Sequence, residues 1–82
     1  MTKKLTDIIS KYEKEIKNIC RSGMKSGGNK IQHVKQMQTV EKNFYNTLND
    51  MFVFGLISKT DYEEAFILCA RITCGYIIRM TD

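Results

Sequence analysis

Apolar residues recur along the chain at spacings of three and four, and this pattern predicts three α-helices. The apolar stripes lie within residues 3–21, 30–54 and 60–79. Such spacing places apolar side chains on one face of a helix with a 3.6-residue repeat. We therefore predict an all-α fold, a three-helix bundle in which consecutive helices are antiparallel. In the first segment the stripe consists of Leu5, Ile8, Ile9, Tyr12, Ile16, Ile19 and Cys20.

Glycines and capping residues indicate where these helices begin and end. Residues 22–29 (SGMKSGGN) hold three of the five glycines and are predicted to form a flexible connection, so the first helix is expected to end at residue 21. Thr2 and Asn29 are the predicted N-caps of the first two helices. Gly55 is predicted to end the second helix. Thr60, with a glutamate three residues later, predicts a capping box at the start of the third helix.

The third segment is apolar around almost its whole circumference. In residues 65–78 (AFILCARITCGYII) only three side chains are not plainly apolar. Such a helix needs burial on nearly all sides, and two companion helices cover only part of it. We expect an uncovered face that binds a partner protein or a second copy of the chain, formed by Ile67, Arg71, Cys74 and Ile78. The alternatives are that the first two helices cover the third completely, or that single apolar residues are exposed without consequence.

Positive charge is concentrated in the first half of the chain. The 82 residues include 13 Lys/Arg and 9 Asp/Glu, and residues 1–42 carry a net charge of +6 against −2 for residues 43–82. This asymmetry predicts attraction to an anionic partner: an acidic protein segment, nucleic acid or an anionic membrane surface. The alternative is a solvated face that keeps a small protein soluble. The candidate basic surface consists of Lys3, Lys4, Lys11, Lys14, Lys25 and Lys30.

Nucleic-acid recognition is less favoured than protein binding. A helix that follows residues 55–58 would be the reading helix of a helix-turn-helix, but it opens with Asp61, Glu63 and Glu64, which phosphates repel. Exposed aromatic side chains, on which single-stranded bases stack, are not expected either. The four phenylalanines follow the apolar stripes and are predicted to lie in the core: Phe44, Phe52, Phe54 and Phe66.

The sequence contains no arrangement typical of an active site, so we expect a protein that is not an enzyme and binds no cofactor. His33 is the only histidine and has no nucleophile or orienting carboxylate at helical spacing. Cys20, Cys69 and Cys74 are expected to be reduced thiols, because a zinc site needs about four ligands. No apolar run approaches the roughly 20 residues of a membrane span, and the first residues lack the apolar region of a secretory signal. We therefore expect a cytoplasmic protein.

A basic first helix (TKKLTDIISKYEKEIKNICR) and an apolar last helix (YEEAFILCARITCGYIIRM) in one small domain resemble the cytoplasmic co-antiholins of T-even-type phages. Proteins of that family restrain the holin during lysis inhibition by binding its cytoplasmic end, beside a periplasmic antiholin. The resemblance implies a regulator without catalysis, in the host cytoplasm, with a protein partner. It covers the whole chain and assigns no individual residue. The residues themselves also allow a small basic nucleic-acid-binding regulator or an immunity-type helical bundle.

Overall fold

The computed structural model describes residues 2–25 and 29–81, which form three α-helices. Helix α1 spans Lys3–Lys25, α2 spans Lys30–Val53 and α3 spans Lys59–Thr81, and every pair of helices is in contact. Helix α2 is antiparallel to the other two, so α1 and α3 run parallel. The bundle is a rod whose Cα atoms extend over 43 × 18 × 15 Å. The predicted all-α three-helix bundle is confirmed.

Two sets of contacts align the helices along the rod. Near its middle, the Tyr12 ring of α1 lies 4.6 Å from the Phe44 ring of α2, measured between centroids, and the Tyr12 hydroxyl bonds Thr73 of α3. Near one end, Gly23 of α1 faces His33 of α2 and Met80 of α3. Each set of contacts marks one level along the rod, and the two levels together show which residues of different helices share an end of the bundle.

The first helix is longer than predicted, and the prediction that it ends at residue 21 is wrong. It continues through Gly23, which is buried inside the helix. A Cβ at this position would collide with the Met80 sulfur and approach the His33 Cβ to 3.2 Å. Gly23 therefore serves the close approach of three helices, not the end of one. Residues 26–28 of the predicted connection lie outside the described residues.

Side-chain caps begin the first and third helices, one of them at an unpredicted residue. The Leu5 amide donates to Thr2 Oγ1 over 3.3 Å, which confirms Thr2 as the cap of α1. The predicted capping box at Thr60 is wrong, because α3 already begins at Lys59. Its cap is Ser58, whose Oγ accepts a hydrogen bond from the Asp61 amide over 3.1 Å. Serine is preferred over threonine at N-cap positions, which agrees with the choice of Ser58.

Helix α2 ends as predicted at a glycine, but its beginning differs. Gly55 has a φ of +73°, and its amide donates to the Phe52 carbonyl while the Leu56 amide donates to the Met51 carbonyl. This is a Schellman arrangement, which the left-handed conformation of glycine allows. Asn29 precedes α2 at the N-cap position, but its side chain makes no capping hydrogen bond.

All three helices contribute to one core. The predicted stripe of α1 is confirmed at its centre, and α2 supplies Met37, Phe44, Leu48 and Met51. The connection between α2 and α3 adds one isoleucine. The buried apolar residues are Leu5, Tyr12, Ile16, Cys20, Met37, Phe44, Leu48, Met51, Ile57, Ala65, Cys69 and Met80.

Candidate interaction surface

The fully buried positions of α3 carry mainly small side chains. Ala65, Cys69 and Thr73 are buried there at intervals of four residues, and Met80 is the one large buried residue of this helix. Distances between packed helix axes depend on the side chains at the contact, so small residues allow a close approach. Ile72, Tyr76 and Ile77 flank this row and pack against the core while partly buried, and the other large apolar side chains of α3 lie on its remaining faces.

Large apolar side chains of α3 point away from the core. Ile67 and Ile78 are each 52% exposed, Phe66 and Leu68 are also exposed, and the Cys74 thiol lies on the same side. Burying a large aliphatic side chain stabilises a protein by roughly 1.5–3 kcal/mol, so an isolated domain would normally turn such residues inward. Helix α3 has the opposite arrangement of sizes, and this leaves an apolar surface in solvent.

Four residues define what we call the outer face of α3: Ile67, Arg71, Cys74 and Ile78. All four are exposed, as the apolar pattern predicted. At 100° per residue they lie opposite the buried positions Ala65 and Cys69. The alternative that α1 and α2 cover α3 completely is therefore wrong. That these four residues bind a partner stays a prediction.

Four aromatic side chains form a second exposed feature where α2 meets α3. The rings of Tyr45 and Phe66 stack with centroids 4.3 Å apart, and those of Phe52 and Tyr62 lie 5.0 Å apart. These rings pack on each other at the edge of the bundle, with Tyr45 and Tyr62 partly buried against the core. Of the four phenylalanines predicted to lie in the core, three are exposed: Phe52, Phe54 and Phe66.

The core contains one polar pair and two groups with raised pKa. The Thr73 hydroxyl donates to the Cys69 carbonyl over 3.0 Å and is bonded to the Tyr12 hydroxyl. Burial raises the pKa of Tyr12 to about 12 and the pKa of the Cys69 thiol to about 12. Both groups are therefore protonated at neutral pH. A thiolate is the reactive form of cysteine, so the Cys69 side chain contributes packing here and no nucleophile.

Alkaline pH is expected to unfold this protein. The unfolded chain releases the protons of Cys69 and Tyr12 near the ordinary pKa values of 9.0 and 10.0, whereas the folded chain holds both until about 12. Because the folded state binds more protons in this window, stability falls as pH rises from 9.0 to about 12. Urea midpoints measured across this range would show the loss. Cys69→Ala should reduce the slope, whereas Cys74→Ala, which removes an exposed thiol, should leave it unchanged; a midpoint independent of pH would contradict the expectation.

The lysines of the candidate basic surface lie at separate places on the rod. Lys3 and Lys4 begin α1 and Lys25 ends it, about 33 Å away at 1.5 Å per residue. Lys30 begins α2 at the same end of the bundle as Lys25, and the lysines at positions 11 and 14 lie along the middle of α1. The structure thus brings Lys25 and Lys30 to one end and leaves the other four apart from them.

His33 and the three cysteines are the side chains of this protein that could ligate a metal through an imidazole nitrogen or a thiol sulfur. The Nδ1 atom of His33 lies 2.6 Å from the Asn29 carbonyl oxygen, so Nδ1 carries the proton that it donates. All three thiols are free, as predicted, with Cys20 and Cys69 buried and Cys74 exposed. Across residues 2–25 and 29–81, no cluster of three or more His, Cys, Asp or Glu side chains could hold a metal ion.

None of the helices in the described part of the chain combines the length and the apolar character that crossing a bilayer requires. Comparisons of the chain with protein-family models, with curated proteins and with solved structures found no match.

Proposed function

We propose that this protein is a regulator without enzymatic activity that binds another protein through the outer face of α3. The observation that carries the proposal is the burial pattern of α3: the small residues Ala65 and Cys69 are buried, and the larger Ile67 and Ile78 are half exposed. An apolar stripe rimmed by polar residues is the usual mark of an interaction site. The stripe also has the spacing of anchors that bind a partner helix.

The outer face indicates what kind of partner segment would fit. Ile67, Cys74 and Ile78 occupy positions separated by seven and four residues, which is a helical repeat. Arg71 lies within this stripe and adds a positive charge. A complementary segment would be an amphipathic helix with aliphatic anchors and a carboxylate opposite Arg71, since rim charges contribute to partner choice.

The resemblance to phage co-antiholins supports a narrower form of the proposal. In that form the partner is the cytoplasmic segment of a holin, and binding delays lysis. The positive charge of the chain also allows an alternative function, that of a small nucleic-acid-binding regulator. Its affinity for nucleic acid would then fall steeply as the salt concentration rises. A gel-shift series at low salt that shows no complex with duplex or single-stranded nucleic acid would exclude that alternative.

Replacing Ile67 by glutamate should weaken partner binding strongly without unfolding the protein. The side chain is half exposed, so the change costs the fold little, whereas a carboxylate in an apolar interface centre costs binding at least about 2 kcal/mol. That loss corresponds to roughly a 30-fold weaker Kd. The measurement is titration of the purified protein with a holin cytoplasmic segment, with helix content checked by circular dichroism.

Val53→Glu is the matched control, because Val53 is an exposed aliphatic residue at the end of α2 and away from the outer face. It should bind the segment as the parent does. Equal affinity of the parent and the Ile67 variant would contradict the assignment of the outer face. Complete absence of binding by the parent would contradict the holin form of the proposal, and sedimentation would then show whether a second copy occupies the face.

A further inference from the structure

The fold concentrates positive charge at one end of the rod-shaped bundle. With the levels defined by Tyr12–Phe44 and Gly23–His33, residues 16–25, 30–40 and 75–81 share one end of the rod. We call this part the basic end. It carries six cations, and the nearest carboxylates of the described residues, Glu15 and Glu41, lie directly beyond its inner limit. Its cations are Lys17, Arg21, Lys25, Lys30, Lys35 and Arg79.

The remainder of the described chain is nearly neutral. Residues 3–15, 41–53 and 59–74 hold seven basic and eight acidic side chains. Asp82 lies outside the described residues and is in neither count. The charge asymmetry therefore runs along the axis of the rod, whereas in the sequence it separates the first half from the second. An object charged in this way is oriented end-on by an anionic surface.

The basic end also exposes large apolar side chains. Ile31 is 76% exposed in the first turn of α2, and Met24 is 58% exposed in the last turn of α1. Ile31 lies before the core contacts of α2, which begin further along that helix at Val34 and Met37. The apolar pair thus shares these terminal turns with Lys25 and Lys30.

A groove continues this surface along the side of the rod, between α1 and α3. Three cations line it, namely Lys17, Arg21 and Arg79, and its apolar wall includes Met24 and the ring of Tyr76. The Arg79 guanidinium lies 5.0 Å from the centroid of that ring. A groove with cations beside apolar side chains fits a ligand that is both anionic and apolar.

We propose that the basic end docks on an anionic phospholipid bilayer, with Met24 and Ile31 entering the interface. The lipid phosphate groups would neutralise the cations, and the lipid chains would cover Met24 and Ile31. An anionic bilayer therefore offers both the charge and the apolar phase that this end of the protein requires. Nucleic acid satisfies only the first of them, because the major part of its surface offers phosphates and no apolar phase. End-on docking leaves the outer face of α3 directed sideways along the membrane and free for a partner.

Vesicle sedimentation tests this docking with two compositions. The purified protein should sediment with vesicles of equal parts phosphatidylcholine and phosphatidylglycerol at about 0.1 M salt, and it should remain in solution with phosphatidylcholine alone. Raising the salt to about 1 M should release it, since the Debye length falls to roughly 3 Å. Equal binding to both compositions, or to neither, would overturn the proposal.

Charge reversal at the two ends separates end-on docking from the effect of net charge. Lys25→Glu with Lys30→Glu changes the charge of the basic end by four units, and each unit near the surface contributes roughly fivefold, so vesicle binding should weaken at least about 100-fold. Lys42→Glu with Lys59→Glu alters the net charge equally but lies outside the basic end, and it should change binding by no more than about threefold. If both double variants lost binding equally, the basic end would have no special role.

A tryptophan reporter tests the contact itself, because the chain has no native Trp. Ile31→Trp should show blue-shifted emission when anionic vesicles are added. Phe54→Trp is its control, since Phe54 is also 76% exposed but lies at the opposite end of the rod. A shift of Phe54→Trp without a shift of Ile31→Trp would overturn the proposal, as would tighter binding to duplex DNA than to anionic vesicles at equal phosphate.

The proposed membrane docking and the proposed partner binding can be tested independently. Ile67→Glu leaves the basic end intact and should bind anionic vesicles like the parent. The Lys25/Lys30 double variant leaves the outer face intact and should bind the partner segment in solution like the parent. Loss of vesicle binding by Ile67→Glu would show that the outer face, and not the basic end, contacts the lipid.

Discussion

Leu48→Ala is expected to lower the free energy of unfolding by about 2–5 kcal/mol. Leu48 has no exposed surface and lies in α2, which contacts both other helices. Removing its branched end costs the transfer free energy of the lost methyl groups and leaves a cavity that the rigid bundle fills only in part. A domain of this length has a total stability of roughly 4–12 kcal/mol, so the variant would lose a large share of it.

Urea unfolding followed by circular dichroism measures this effect. The midpoint should fall while the dependence on denaturant keeps its slope, because the surface exposed on unfolding hardly changes. Leu56→Ala makes the same chemical change at a side chain that is 60% exposed, and it should stay within about 0.5 kcal/mol of the parent. Equal losses in the two variants would contradict the placement of Leu48 at the centre of the core.

Enlarging the buried face of α3 is expected to destabilise the protein. Ala65→Leu adds three carbon atoms at a position with no exposed surface, where small residues bring α3 close to its neighbours. Overpacking of this kind costs about 1–3 kcal/mol, although leucine and alanine are both good helix formers. The same urea measurement applies, and the loss should appear without a loss of helix content.

Ile67→Ala provides the opposite change on the opposite face of the same helix. Because Ile67 is half exposed, shortening it should change stability by no more than about 0.5 kcal/mol. Ala65 and Ile67 differ by 200° around the helix axis, at 100° per residue, so the pair reports the rotation of α3. If Ile67→Ala were the costly change and Ala65→Leu stabilised the protein, α3 would have its large side chains in the core, and the proposed function would lose its support.

The first two helices were predictable because their polar and apolar residues separate cleanly. Tyr12 and Ile16 of α1, and Phe44 and Leu48 of α2, all fall on the predicted stripes and are buried. Charged residues on the remaining faces leave only one rotation of each helix that avoids burying charge. The same pattern gives no information on where helices approach each other closely. Gly23 was therefore interpreted as part of a helix end, although it lies where three helices meet.

The rotation of α3 was only partly predictable. With few polar residues from 65 to 78, its pattern excludes burial of Arg71 but does not say which apolar residues face inward. The prediction that Ile67, Cys74 and Ile78 remain uncovered was correct because they lie beside that arginine. The exposure of Phe66 and Phe52 escaped the same reasoning, because it depends on how α2 and α3 pack on each other.

Periodicity, capping residues and composition were sufficient to establish the number of helices, their approximate limits and the surplus of apolar surface in the last one, because each of these depends on neighbours within a few residues. The charge distribution is different. Lys25, Lys30 and Arg79 belong to three separate helices, and only the packing of α1 parallel to α3 and antiparallel to α2 brings them to one end. Long-range alignment of this kind arises from contacts between distant residues such as Gly23 and Met80, which local sequence patterns do not contain.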